Sequence, residues 1–74
     1  MKIGIIAAME QELVLLVEQL ENKVEEIVLG NIYYTGRLGK HDVVLVQSGV
    51  GKVMSAMSVA VLADHFEVDA LINT

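Results

Sequence analysis

The 74-residue sequence has no cysteine, no proline and no tryptophan, and aromatic residues make up only 4% of it. Without cysteine, the chain can form neither a disulfide framework nor a thiolate metal site. Most of its bulk comes from aliphatic side chains, since 54% of the residues are hydrophobic. This composition fits the interior of a larger α/β protein better than a free-standing domain of this length, which would be marginally stable.

Positive charge is also scarce. Five lysine and arginine residues stand against ten acidic residues, which gives a formal net charge of −5. Nucleic acids and anionic membranes attract clusters of basic residues, so we expect the protein to bind neither. The longest apolar stretch, residues 53–63, contains serines and is too short to cross a bilayer. Glu10 and Glu12 follow the apolar start too closely for a signal peptide, and we expect a cytoplasmic protein.

The chain begins with a buried strand and an amphipathic helix. Residues 3–7 form a continuous apolar run, which is typical of a strand covered on both faces. After this run the hydrophobic residues follow a helical period. The members of this apolar stripe are Met9, Leu13, Leu16, Val17 and Leu20. Asn22 and Lys23 are predicted to end the helix.

The rest of the chain predicts further strands and a second helix. The predicted elements are strands over residues 24–29, 32–38, 43–47 and 68–72 and a helix over residues 51–66. Gly30-Asn31 is a typical tight-turn pair between two of these strands. The second helix is apolar nearly all round, so it is predicted to be buried or to lie in an interface.

This order of elements predicts an α/β fold with a mixed sheet and parallel strands at its centre. The strands that contain Ile3, Val43 and Ala70 are apolar on both faces and need cover on both. Two helices cannot cover two faces of a five-stranded sheet. We therefore expect residues 1–74 to be part of one larger domain, whose core is completed by further sequence, by another subunit, or by both.

Two strand-to-helix junctions carry the functional signal. Residues 2–12 run from the first strand into an acidic helix start, and residues 43–52 run from another strand into the turn Ser48-Gly49-Val50-Gly51-Lys52. Both junctions bring small residues and helix-terminal amides to the carboxyl end of a buried strand, where open α/β sheets bind ligands.

The glycine-containing turn does not match two common phosphate-binding motifs. A Walker A loop would need glycine in place of Val46 and a hydroxyl side chain in place of Val53. A dinucleotide fingerprint would need glycine or alanine in place of Met54. What remains is a turn that allows a ligand to approach the backbone closely.

Together the two junctions resemble the 5′-methylthioadenosine/S-adenosylhomocysteine nucleosidases, bacterial enzymes that hydrolyse an adenine N-glycosidic bond. The matching segments follow the family's order and spacing: Lys2-Ile3-Gly4-Ile5-Ile6, Ala8-Met9-Glu10, Glu12, Tyr34-Thr35-Gly36, Ser48-Gly49-Val50-Gly51-Lys52 and Asp69-Ala70-Leu71-Ile72-Asn73-Thr74. The resemblance implies that residues 1–74 are the N-terminal third of such an enzyme. It also implies a three-layer α/β/α fold like that of the nucleoside phosphorylases, with a mixed central sheet.

Glu12 is the candidate catalytic residue. At about 100° per residue it lies about 60° around the helix axis from Met9, at the edge of the apolar stripe. The helix dipole favours an ionised carboxylate at this end, and such a group in a cleft can activate water. Spacing alone favours a glutamate that only complements the dipole. The resemblance instead implies that Glu12 is the base that positions the attacking water.

The resemblance also implies three substrate-binding residues. Backbone near Ala8 faces the water, Met9 lies against the ribose, and Val50 lines the pocket for the 5′-alkylthio group. Taken alone, Met9 and Val50 are more often ordinary core side chains. The implied ligand is an adenine nucleoside thioether, with no cofactor, and the family forms homodimers. His41 and His65 have no second ligand at a workable spacing, so no metal site is expected.

Two other functions remain open at this point. A nucleoside phosphorylase of the same fold would need arginine for phosphate, but the only arginine is Arg37, and the carboxylate of Glu12 would repel phosphate. A non-catalytic α/β interaction module, such as a receiver domain, would need clustered aspartates after the first strand, where residues 7–9 supply none. The resemblance places the general acid and the ribose-binding glutamate outside residues 1–74, so we expect this chain alone to be inactive.

Overall fold

The computed structural model describes residues 1–28, 30–47 and 59–73. Its strands are β1 (Lys2–Ala7), β2 (Glu21–Val28), β3 (Asn31–Leu38), β4 (His41–Gln47) and β5 (Ala70–Asn73); α1 is Glu10–Gln19, and the helical residues 59–64 are called α2. Neither helix, within the described ranges, is long and apolar enough to span a bilayer.

The five strands form one mixed sheet in the order β2-β3-β4-β1-β5. β1 runs parallel to both of its neighbours, β4 and β5, whereas β3 is antiparallel to β2 and β4. The prediction of a mixed sheet with parallel strands at its centre is therefore confirmed. The antiparallel hairpin of β2 and β3 extends the sheet on one side, with the turn glycine Gly30 at a φ of 83°.

Alternate side chains of the central strands enter two separate hydrophobic clusters, one on each face of the sheet. The α1-side cluster consists of Ile5, Ala7, Leu13, Leu20, Val43 and Leu45. The α2-side cluster consists of Ile6, Tyr33, Val44, Val46, Val61, Leu62 and Phe66. A helix therefore covers each face, and the three-layer α/β/α arrangement implied by the resemblance is present.

The first helix ends three residues earlier than its sequence predicts. Leu20 already has an extended backbone, with φ −72° and ψ 133°, and β2 begins at Glu21. Leu20 is buried against the sheet, and the chain can turn there because Gly36 has no side chain. A Cβ atom on Gly36 would lie 2.9 Å from the carbonyl oxygen of Glu21 and 2.9 Å from Cβ of Leu20.

The second predicted helix is only partly within the described residues, because residues 48–58 lie outside them. The helix ends at residue 64, and Phe66, which was predicted to be helical, lies beyond it. The backbone N–H groups of His65 and Phe66 both donate to the carbonyl of Val61, at 2.8 and 3.2 Å. Glu67 then adopts a left-handed φ of 54°, which turns the chain toward β5. That strand starts at Ala70, two residues later than predicted.

Candidate functional site

The carboxyl ends of β1 and β4 meet at one edge of the sheet, which is called the carboxyl edge below. Ala7, the last residue of β1, is the register partner of Gln47, the last residue of β4. On the other side of β1, Ile6 is the register partner of Asn73 at the end of β5. The carboxyl ends of three parallel strands therefore lie side by side at this edge, which is where ligands bind in open α/β sheets.

Helix α1 begins at this edge, directly after β1. Met9 is its N-cap residue, with an extended backbone at φ −117° and ψ 142° and no hydrogen bond from its side chain to the helix. The backbone N–H of Leu13 donates to the carbonyl of Met9 at 3.2 Å. The amides of the first turn have no partner within the helix, so this end attracts negative charge.

Glu12 lies in the first turn of α1 at the boundary between core and solvent. Its side chain is half-buried, whereas the side chains of Glu10 and Gln11 are exposed. The next residue, Leu13, is buried in the α1-side cluster with Ala7 and Leu45. In the described part of the chain, no side chain pairs with the Glu12 carboxylate. As far as the described residues go, this carboxylate is left free for a ligand at the carboxyl edge.

The predicted substrate-binding residues fall into two groups. Ala8 and Met9 are both exposed at the corner between β1 and α1, and 55% of Met9 is accessible. Met9 is therefore not part of the core that the described residues form. Val50 and the rest of the turn at residues 48–52 lie outside the described residues.

Gln47 is a polar residue of this edge that the sequence interpretation missed. It is exposed, although the four residues before it in β4 are all buried. The period of two along β4 places it on the same face as Val43 and Leu45. The signal was present in the sequence, since Gln47 is the first polar residue after an apolar strand. Its relevance depends on which face carries α1.

The two histidines lie away from the carboxyl edge. His41 is exposed at the start of β4, and His65 contacts the carboxylate of Glu26 on β2 through Nε2. The ring of His65 also meets that of Phe66 edge-on, with centroids 4.7 Å apart. His65 directly follows the last residue of α2, and its side chain joins this helix end to β2. In the described ranges, no three acidic or histidine side chains are grouped as metal ligands would be.

Curated relatives and solved structures match the chain over nearly its whole length. The 5′-methylthioadenosine/S-adenosylhomocysteine nucleosidase of Geobacillus sp. strain WCH70 is 46% identical over all 74 residues, which are 32% of its own length. The S. pneumoniae enzyme of the same name, solved with the transition-state inhibitor MT-ImmA, is 70% identical with a TM-score of 0.93, over 99% of this chain and 32% of that one.

A third comparison gives the same result. The S-adenosylhomocysteine nucleosidase of Streptococcus pyogenes, in complex with 5-methylthiotubericidin, is 64% identical with a TM-score of 0.95, over 99% of this chain and 31% of that one. The chain thus spans about a third of the length of these relatives, and the resemblance seen in the sequence is confirmed. The family model described as "Phosphorylase superfamily" matches residues 2–74. The chain belongs to the phosphorylase superfamily.

Proposed function

We propose that the complete protein hydrolyses the N-glycosidic bond of 5′-methylthioadenosine and S-adenosylhomocysteine, and releases adenine and the 5-thioribose product. The observation that carries this proposal is the placement of Glu12. It is a half-buried carboxylate without a partner among the described residues, in the first turn of the helix that starts at the carboxyl edge. The similarity to nucleosidases supports the choice of substrate.

In this reaction Glu12 acts on water. The ribosyl group passes through an oxocarbenium-like transition state, as in other glycosidases. Water adds to C1′ and gives one proton to the Glu12 carboxylate, while the bond from C1′ to the purine nitrogen breaks and its electron pair stays with adenine. Adenine is protonated at N7 by an acid that this chain does not contain. The arrangement parallels that of an inverting glycosidase, with base and acid on opposite sides of the sugar.

The substrate-binding roles are those that the resemblance to the nucleosidases implies. Exposed Met9 packs against the ribose, and backbone near Ala8 borders the attacking water. Val50 contacts the 5′-alkylthio group, because a thioether needs apolar contact and no hydrogen bond. No metal or cofactor takes part.

Phosphorolysis is the main alternative within the superfamily, and the position of Arg37 argues against it. Arg37 pairs in register with Asp42 near the start of β4, at the opposite edge of the sheet from Glu12. The described residues thus bring no guanidinium to the carboxyl edge, where a phosphate nucleophile would need one. This position of Arg37 supports water as the nucleophile.

The proposed enzyme is a cytoplasmic homodimer. Val59 and Ala60 of α2 are exposed while the adjacent Val61 and Leu62 are buried, so α2 offers a second apolar surface that a partner subunit would cover. Changing Val59 to glutamate in the complete protein should lower the dimer fraction measured by light scattering. An unchanged dimer would remove this helix from the proposed interface.

The function is tested by the phosphate dependence of cleavage. The complete protein should release adenine from 5′-methylthioadenosine in phosphate-free buffer, and added phosphate should not raise the rate or produce a ribose phosphate. A rate that requires phosphate would show a phosphorylase, and no cleavage under either condition would exclude both activities.

A further inference from the structure

The best-supported additional contributor to the reaction is Gln47, at the end of β4. We propose that its side-chain amide holds the attacking water together with Glu12. This inference rests on the proposed hydrolase activity, and it assigns a role to a residue that neither the sequence interpretation nor the family comparison singles out.

The strand register fixes the face on which Gln47 lies. Ala7, its register partner, belongs to the α1-side cluster, as do Val43 and Leu45, which precede Gln47 by four and two residues along β4. Since side chains alternate along a strand, Gln47 lies on the face that α1 covers. Asn73, the other amide at this edge, pairs with Ile6 of the α2-side cluster and lies on the opposite face.

The direction of α1 brings Glu12 to the same end of that face. The helix starts at the carboxyl edge and its far end reaches Gly36, where Leu20 makes its close approach. Gly36 is the register partner of Val43, near the start of β4. The helix therefore runs back along the sheet, against β4 and β1, and its first turn lies over the strand ends.

The α1-side cluster provides the link between the two side chains. Leu13 and Leu45 are buried in it together. Glu12 precedes Leu13 and is displaced from it toward the carboxyl edge, and Gln47 lies about 7 Å beyond Leu45 in the same direction at the usual rise per strand residue. Both residues therefore lie on the same face near the strand ends, which is the arrangement that a water molecule bound to both requires.

The exposure of Gln47 fits this role. Val46 beside it is almost completely buried, with 1% of its surface accessible, whereas Gln47 is exposed. Among the described residues, none hydrogen-bonds to its side-chain amide. Within the part of the chain that the structure describes, the amide is therefore open to solvent or ligand.

The chemistry of the two groups is complementary. A water molecule that attacks C1′ must point a lone pair at carbon and place its two hydrogens elsewhere. The Glu12 carboxylate accepts a hydrogen bond from one O–H group of the water and later takes that proton. The amide oxygen of Gln47 accepts a hydrogen bond from the other O–H group. An amide keeps its hydrogen-bonding groups at every physiological pH and cannot take the proton itself. Gln47 thus contributes to the reaction rate by orienting the attacking water.

The test compares two glutamines of the complete protein. Gln47→Leu should lower kcat for 5′-methylthioadenosine by about tenfold or more, because a misplaced nucleophile slows the chemical step, and should leave KM within about twofold. Gln11→Leu is the matched control, since Gln11 is exposed on α1 next to Glu12 but lies in an outward-facing hollow with Val14 and Leu15. The control should retain the parent kcat and KM.

Three results would overturn the inference: a kcat of Gln47→Leu within twofold of the parent, a rise in KM alone, or an equal loss in the control. If Gln47→Leu does not fold, Gln47→Asn, which keeps the amide but shortens its reach, replaces it with the same expectation for kcat. Glu12→Gln is measured alongside. An inactive Glu12→Gln with a fully active Gln47 variant refutes only the role of Gln47, whereas an active Glu12→Gln refutes the proposed function.

Discussion

The two ends of the strands differ in whether their polar side chains have charged partners among the described residues. The edge opposite the carboxyl edge, where β1 and β4 begin, is called the amino edge. Its charged residues are register partners on adjacent strands and alternate in sign: Glu21, Arg37, Asp42 and Lys2. Asp69 completes the row, because its Oδ2 accepts a hydrogen bond of 2.8 Å from the backbone N–H of Lys2. At the carboxyl edge, no residue within the described ranges pairs with the side chain of Glu12 or Gln47 in this way.

This contrast separates structural from functional polar groups. The amino edge contains a half-open hollow of about 320 Å³, lined in part by Lys2, Arg37 and Asp42. There Arg37 forms an ion pair with Asp42, and Lys2 is the register partner of Asp42. Cross-strand pairs of this kind stabilise the register of a sheet. At the carboxyl edge, polar side chains are held in place by buried neighbours and remain available to a ligand. The size of a hollow is therefore a poorer guide to the site than the pairing of its charges.

The largest expected effect is the loss of activity on changing Glu12. In the complete protein, Glu12→Gln should lower kcat/KM for 5′-methylthioadenosine by at least about 100-fold, the lower range for loss of a general base. Glu10→Gln removes a carboxylate from the same helical turn and should stay within about twofold of the parent. Adenine release measures both. Equal losses would mean that the two carboxylates act only through the helix dipole.

The second prediction concerns Gly36, where β3 lies close to Leu20 and Glu21. Gly36→Ala should lower the free energy of unfolding by about 1–3 kcal/mol, the usual cost of overpacking, because its Cβ would lie 2.9 Å from the Glu21 carbonyl oxygen. Gly4→Ala should cost less, since the three atoms nearest to its Cβ would be side-chain methyl groups of Leu71, Leu62 and Val68, at 3.0–3.3 Å. Urea unfolding measures the difference. A larger loss for Gly4→Ala would contradict this view of the turn after α1.

A smaller effect is expected at Tyr33, whose hydroxyl is buried without a hydrogen-bond partner among the described residues. Its ring packs against Phe66, with centroids 5.1 Å apart. Tyr33→Phe keeps that contact and removes the unsatisfied group, so the free energy of unfolding should be unchanged or rise by up to about 1 kcal/mol. A fall of more than 1 kcal/mol in thermal unfolding would show that the hydroxyl has a partner in the complete protein.

The smallest effect is expected for the ion pair of the amino edge. Arg37 Nε lies 3.9 Å from an Asp42 carboxylate oxygen, and the two side chains are 55% and 66% exposed. Arg37→Gln should therefore cost at most about 0.5 kcal/mol of stability and leave kcat/KM for the nucleoside unchanged. A loss of activity in Arg37→Gln would show that the amino edge takes part in the reaction, and it would contradict the contrast between the two edges.

The sequence predicts the elements with strong local patterns. The continuous apolar run of β1 and the helical period after Met9 are readable without tertiary information, and the order of strands and helices is enough to predict a mixed sheet with parallel strands at its centre. The position of Glu12 at the boundary of the buried stripe follows from helical geometry alone.

Features that depend on distant residues could not be predicted in this way. The early end of α1 depends on Gly36, which lies far along the chain from Leu20 but contacts it. The contact of His65 with Glu26 joins the end of α2 to an edge strand, and no local pattern indicates it. Gln47 becomes a candidate only when the register shows that it shares a face with α1.

The most direct test of the central claim is a crystal structure of the complete protein with a bound 5′-thioadenosine analogue. The sugar should lie at the carboxyl edge, with a Glu12 carboxylate oxygen within hydrogen-bond distance of a water molecule on the face of C1′ opposite adenine. A sugar bound elsewhere, with Glu12 pointing into bulk solvent, would contradict the account.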